Sequence, residues 1–285
     1  MRLTVVGSGG GTGVAAEASA AYLLTSDAAA LLVECGPGIA TAIPKFIGLN
    51  ALTGVVVSHM HFDNYYDLLP LAVVLYNYHT DLFLREDSPF SLEHHVPVPV
   101  YLPPGGSTRL QQIMAVVADN SPSAERSLAR AFDFALALSD YHPDVPFTCG
   151  PFTICAIGPV AHGPGPAFGF RIADGTATLG YTGDSALCDA LYDIAHSADL
   201  FLCDAMGITN RMRTEQTDRH LTVDDAGRIA FRAGAKQLLL THIANDSPSW
   251  SRSLLEAART HYDRTIAIAR HSGVYQLPLP TDHVR

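Results

Sequence analysis

Lysine is nearly missing from this chain: Lys45 and Lys236 are the only two among 18 cationic residues, so positive charge is almost all arginine. Against 28 Asp plus Glu the formal net charge is −10. That balance excludes a strongly basic nucleic-acid module, because sequence-independent affinity comes from cations neutralising phosphates. Charged residues are few, at 16%, and apolar ones make up 48%, which is the balance of a globular chain rather than a disordered one. Cysteine is sparse too. Cys35, Cys149, Cys155, Cys188 and Cys203 are odd in number and include no C-x-x-C pair, which reads as free buried thiols in a reducing compartment. No N-terminal segment has the basic and apolar blocks of a signal peptide. The longest apolar runs, around 15–24 and 68–75, are too short or too interrupted to span a bilayer. A soluble, cytoplasmic protein with no membrane partner is the expectation. No repeat, low-complexity tract or linker divides the chain, so a single domain over residues 1–285 is expected.

What is present is a series of short apolar runs. Those at 2–6, 20–24, 29–34, 53–57, 98–102, 152–157, 167–172, 176–181, 200–203, 237–241, 265–269 and 274–277 read as strands. Helices are expected at 38–46, interrupted by Pro44, and at 68–76, 108–117, 124–138, 186–195, 223–233 and 251–261. In the 124–138 stretch, Leu128, Ala131, Phe132, Ala135 and Leu136 follow the helical repeat. Strands cluster in the first third and the second half, with helices between and after. An α/β (α+β) fold of two mixed sheets packed face to face, with helices outside, satisfies that order.

After the first strand comes Gly7-Ser8-Gly9-Gly10-Gly11-Thr12-Gly13, which invites a dinucleotide site with Glu34 as the ribose acid. The spacing is not the strict fingerprint, and the next segment, 20–24, reads as a strand rather than a crossover helix. The plainer reading is that these glycines let the loop pass close to another backbone. A nucleotide-binding oxidoreductase stays as the alternative from another class.

Thirteen histidines is the unusual number in this composition. His59, His61 and Asp63 form H-x-H-x-D directly after strand 53–57. Alternate residues leaving a strand end project to one side, so two imidazoles and a carboxylate can converge. Such donors suit Zn²⁺ first, with Fe or Mn as poorer choices. His162, Asp184 and His242 each follow a later strand, which is where α/β sheets build their sites.

This set resembles the metallo-β-lactamase superfamily over nearly the whole chain. The likeness is most specific at His59-Met60-His61-Phe62-Asp63, His162, Thr182-Gly183-Asp184 and Leu240-Thr241-His242. It is closest to the ribonuclease Z and phosphodiesterase-like branch. Leu31 to Gly38, His220-Leu221-Thr222 and Asp225 to Ala230 support that placement, as does Phe168-Gly169-Phe170-Arg171-Ile172 after His162. The resemblance implies a four-layer αββα sandwich with its metals at one edge. It implies one metal held by His59, His61 and His162, and Asp184 bridging to a second metal held also by Asp63 and His242. A hydroxide between the ions would be the nucleophile. Asp63 therefore counts as both a catalytic and a ligating residue.

The family pattern continues H-x-H-x-D-H, whereas this chain has Asn64. A neutral amide is a poorer zinc ligand than imidazole. A weaker second metal, a single ion, a changed metal preference and loss of hydrolysis are all open outcomes. In the resembling ribonucleases the residue matching His220 faces the scissile phosphate as general acid, and Asp204 stands where an acid orients it. The competing reading of His220 is a flank of helix 223–233, with Thr222 as N-cap. Arg211, Arg213 and Arg219 lie with Glu215 and Asp218 in what reads as a solvated mixed-charge loop. His79, His94, His95, His142 and His196 read as surface or turn residues, and His271 as a candidate substitute ligand.

Metal-activated water attacks phosphodiesters, lactones, thioesters and β-lactams alike. The tRNA-processing members carry a Gly- and Pro-rich basic arm, and the segment 119–149 has only Arg126 and Arg130 as cations. With a net charge of −10, long nucleic acid is a poor partner. A small phosphodiester, for example a cyclic nucleotide, or a small ester is the expected substrate. The alternatives are a metal-binding protein without turnover and a lactone or thioester hydrolase. Homodimers are usual in the family, which makes a second copy of the chain a candidate partner.

Overall fold

The computed structural model describes residues 1–10, 18–83, 95–118, 128–163, 165–206, 208–212, 214, 219–243 and 247–278. Its strands are β1 (Arg2–Gly7), β2 (Ala21–Ser26), β3 (Ala29–Val33), β4 (Leu52–Val56), β5 (Val98–Leu102), β6 (Leu136–Asp140) and β7 (Phe147–Cys149). There follow β8 (Phe152–Ile157), β9 (Gly169–Ala173), β10 (Thr178–Tyr181), β11 (Leu200–Asp204), β12 (Gln237–Thr241), β13 (Thr265–Ile268) and β14 (Val274–Gln276). The helices are α1 (Ile39–Ala42), α2 (Phe62–Tyr65), α3 (Leu68–Phe83), α4 (Gly106–Val117), α5 (Leu128–Ala135), α6 (Ala190–Ala195), α7 (Val223–Arg232) and α8 (Pro248–Arg259).

The apolar strands sort their side chains by alternation, since successive residues point to opposite faces. Val6, Leu23, Leu32 and Val55 join one buried cluster, together with Ile39, Leu71, Leu110 and Phe132 from the helices. Their neighbours Val5, Leu24, Leu31 and Val56 join a second, which meets Phe152, Phe170, Leu179 and Leu202. A third holds Phe201 and Leu240 against Ile194, Ile229 and Leu254. Three apolar layers between four tiers of backbone make the expected αββα sandwich. Among the described residues one sheet has the order β14-β1-β2-β3-β4-β5-β6 and the other β13-β12-β11-β10-β9-β8-β7.

β3 to β6 pair in parallel, and so do β10 to β13. Each sheet therefore collects several strand carboxyl ends along one edge, where loops can build a site. No helix among the described residues is long and apolar enough to cross a membrane.

The structure corrects four local readings. The helix expected through 138 stops at Ala135, and Leu136 to Asp140 is β6, with Leu136 opposite Val98 and Leu138 opposite Val100. Leu136 continues the helical repeat and also begins a period-two alternation, and the open edge of β5 decides for the strand. β7 was not foreseen; it has three residues and forms as a hairpin partner of β8. The helix expected from 186 begins at Ala190. The stretch 38–46 is helical only to Ala42 and tightens to a 3₁₀ turn at Ile43–Lys45, where Pro44 sits.

β1 and β2 are antiparallel neighbours, so the glycine loop between them does not open a dinucleotide-binding βαβ unit. A Cβ on Gly7 would collide with the Ser19 carbonyl, which is the close backbone approach expected of it. Residues 11–17 of that loop, with Gly11, Thr12 and Gly13, lie outside the described residues.

Candidate metal centre

All six expected ligands come together where the two sheets meet. From the first sheet, the chain leaving β4 carries His59, and His61 and Asp63 follow at the start of α2. From the second sheet, His162 follows β8, Asp184 follows β10 and His242 follows β12. His59, His61 and His162 place their ligand atoms within 4.8 Å of one another, and so do Asp63, Asp184 and His242. The three rings of the first group meet edge to face, with centroids 4.6, 4.9 and 4.8 Å apart. Asp184 Oδ2 lies between the groups, 3.8 Å from His59 Nε2, 3.8 Å from His162 Nε2 and 3.5 Å from His242 Nε2. His242 Nε2 is also 3.6 Å from Asp63 Oδ2.

Hydrogen bonds to the far sides of the rings set which nitrogen faces inward. The Arg219 carbonyl can only accept, so His162 donates its Nδ1–H at 3.0 Å and turns its Nε2 to the cluster, 3.0 Å from His61 Nδ1. His59 Nδ1 lies 2.9 Å from Ser58 Oγ, leaving its Nε2 toward Asp184. Below these rings Glu34, fully buried, accepts from the Ser58 amide with both oxygens at 3.2 Å. Such outer contacts orient metal-ligating imidazoles.

The electrostatics suit a cation. Asp63, Asp184 and Asp204 are all buried, an arrangement that is expensive unless positive charge is close by. Burial pushes the His59 imidazole down to about 4, and burial and His162 lower His61. Both are thus neutral and able to coordinate. Burial also works against charge on His242, yet Asp184, Asp63 and Asp204 outweigh it and hold the ring up at about 10. Among the described residues both His242 ring nitrogens and Asn64 Oδ1 are buried with no hydrogen-bond partner. Ring nitrogens left 3.5–3.7 Å from three carboxylates are what a divalent ion would satisfy, so the donor set fits a metal.

His220 and Asp204 form a hydrogen-bonded pair at 2.7 Å beside this cluster. The Asp204 carboxylate is fixed by the Ser185 and Met206 amides, and burial of His220 is outweighed by Asp204, which keeps the imidazole above its ordinary value. The His220 ring stacks on His242 and lies edge-on to His162, each at a centroid distance of 5.1 Å. Thr222 does cap α7, through a reciprocal box with Asp225, so the cap and the site position of His220 coexist two residues apart.

The remaining histidines sort differently. His271 bonds the Val6 carbonyl and packs on Phe46, and it belongs to none of the ligand groups, which corrects the substitute-ligand reading. His95 stacks on Phe134 and bonds its carbonyl, so it is a packing residue rather than a surface one. His142 and His196 are exposed, and His94 lies outside the described residues. Arg211 and Arg219 are exposed, and Arg213, Glu215 and Asp218 lie outside the described residues.

Sequence reading missed two contributors. Ser58 has no motif beyond preceding His59. Arg109, at the start of α4, lines a cavity of about 440 Å³ with His59, His61 and His162. The glycine loop does reach the site: a Cβ on Gly10 would stand 2.5 Å from the His242 ring.

Two packed sheets whose joined edge gathers histidines and aspartates define a metallo-hydrolase. The family described as "Beta-lactamase superfamily domain" matches residues 30–243, and the chain belongs to the metallo-β-lactamase superfamily. A Bacillus subtilis (strain 168) protein named "Probable metallo-hydrolase YhfI" is 29% identical over 276 residues, spanning 97% of this chain and 100% of its own. The crystal structure of YhfI matches with a TM-score of 0.78 at 27% identity, over 96% of this chain and 98% of that one. Ribonuclease Z of Haloferax volcanii is 25% identical over 319 residues, covering 98% of this chain and 95% of its own. A diphosphatase from the PhnP family shares the fold, with a TM-score of 0.70 at 16% identity over 97% of each chain.

Proposed function

We propose that the chain hydrolyses a small phosphodiester or related small ester at a zinc centre. His59, His61 and His162 would hold one ion, Asp63 and His242 would hold a second, and Asp184 lies between the two groups. When bound there, a divalent metal supplies Lewis acidity and a water acidified toward neutral pH. Nitrogen and carboxylate donors at this density favour zinc over iron or manganese.

The observation that carries the reading is the His220–Asp204 pair, 2.7 Å apart and stacked over His242. An alkoxide leaving group must be protonated as it departs, and a buried carboxylate behind the imidazole keeps a proton on Nδ1 and favours the charged ring. His220 then donates from its other nitrogen. Asp204 touches no substrate in this scheme; it orients His220. The net charge of −10 supports a small substrate over tRNA. The names of ribonuclease Z and the PhnP-family diphosphatase support phosphate-ester chemistry in the same fold.

The test is turnover by the zinc-loaded chain of bis-p-nitrophenyl phosphate, cyclic nucleotides and lactones. His59→Ala should abolish it. His220→Ala should lower kcat by about 10²–10⁴-fold on a cyclic nucleotide, whose leaving alkoxide is strongly basic, and far less on the p-nitrophenyl diester. Turnover that survives His59→Ala sinks the assignment. Equal losses on the two substrates remove the general-acid role.

A further inference from the structure

The cavity beside the three-histidine group has one charged wall, and the proposed chemistry has not used it. Its volume is about 440 Å³, the size of a small-ligand site. His59, His61 and His162 line it together with Pro104, Gly106 and Arg109. Among the described residues no carboxylate lines it. Arg109 is exposed, and among the described residues its guanidinium makes no ion pair or hydrogen bond.

The local structure holds it there. β5 runs parallel to β4, so the loop leaving β5 emerges beside the loop that carries His59. α4 starts at once after that loop. Its first turn is tied down by Asp140 at the end of β6, which accepts from Gly105 N at 2.6 Å and from Ser107 N at 2.8 Å. Gly106 packs so tightly that a Cβ there would stand 2.8 Å from Leu102 Cβ and 3.3 Å from Met60 Sδ. The helix start is therefore pressed against the residue between His59 and His61. Arg109 lies one turn further on and lines the same cavity as His61.

We propose that Arg109 binds the anionic group of the substrate and so selects phosphate monoanions over neutral esters. This deepens the phosphodiester reading above and rests on it. A guanidinium presents a planar fork that matches two non-bridging phosphate oxygens, which a neutral ester lacks. With the diester oxygens paired on Arg109, the phosphate is held in the cavity that His59, His61 and His162 also line. Arg109 is a specificity-determining residue; it moves no proton.

The test compares wild type, Arg109→Ala and Arg109→Lys, each zinc-loaded and matched for metal content. Binding of inorganic phosphate is measured by titration calorimetry. KM and kcat are measured for bis-p-nitrophenyl phosphate, a monoanion, and for p-nitrophenyl acetate, which is neutral. Arg109→Ala should weaken phosphate binding and raise the diester KM by about tenfold or more, the usual size of a lost charged hydrogen bond. The acetate KM should stay within about twofold, and Arg109→Lys should recover part of the loss as a point charge without the fork. Phosphate binding that is equal in wild type and Arg109→Ala overturns the proposal, and so does an equal rise in KM for both substrates. If wild type turns over no diester, the phosphodiester reading fails, while the phosphate titration still decides whether Arg109 is an anion site.

Discussion

Asn64 is where this chain parts from the usual ligand pattern of its family, and its surroundings show the consequence. The side chain is fully buried, its Nδ2 lies 3.4 Å from His59 Nε2, and its Oδ1 has no partner among the described residues. Asp63, Asp184 and His242 then form the second ligand group without an imidazole from position 64. An imidazole at position 64 would add a fourth donor. Asn64→His should therefore tighten the second ion by at least the roughly tenfold that outer-shell changes alone produce. Elemental analysis after gel filtration reads this directly: about one retained ion per chain in wild type, rising toward two in the variant. Two ions retained by wild type through the same treatment would end the weakened-site idea. At this scale the ligands were legible because each stands just past an apolar strand, as His59 and His242 do. Ser58 and Arg109 were not, since a serine beside a histidine or one arginine early in a helix carries no pattern of its own.

At the scale of elements, the hardest segment to read was the one that anchors α4. Leu128 to Leu136 keeps helical spacing, and only the pairing of Leu136 and Leu138 with β5 reveals a strand. Such pairing depends on residues far away in the chain, and local periodicity does not contain it. The strand delivers Asp140 to the start of α4, where it replaces a local N-cap. The carboxyl is held below its ordinary range: partial burial works the other way, but Ser107 and Gly105 outweigh it. A depressed carboxylate contributes stability above its unfolded pKa and loses it as pH falls through the folded one. Asp140→Ala should thus destabilise by about 0.5–2 kcal/mol at neutral pH, as lost helix caps do. The gap to wild type should narrow as pH drops below about 4. Denaturant melts at several pH values measure it, and a gap that stays constant down to about pH 3 would rule out the carboxylate as its source.

At the scale of the whole molecule, the two sheets are joined at both edges by polar contacts as well as by the apolar layer between them. On the edge away from the site, Asp174 of the β9–β10 turn accepts from Ser26 Oγ at the end of β2 at 2.7 Å. On the other edge the ligands themselves bridge the sheets: His59, His61 and Asp63 follow β4, while His162, Asp184 and His242 follow β8, β10 and β12. The sandwich order was legible from the sequence of strands and helices, and the ligand types marked the second edge. The Asp174 contact was not legible, because an acid in a turn most often serves its own turn, as this one also does through Thr176 and Ala177. Part of the −10 charge, Asp63 and Asp184, would be neutralised by a cation bound between them. An ion held from both sheets binds the folded chain and not the unfolded one, so it stabilises by mass action. Chelation should lower Tm by about 5 °C or more, and stoichiometric zinc should restore it. His59→Ala should shrink the zinc-dependent shift even in the absence of any substrate. If the chelated chain is shown by elemental analysis to be metal-free and melts at the same temperature as the loaded one, the ligand cluster does not clasp the sheets.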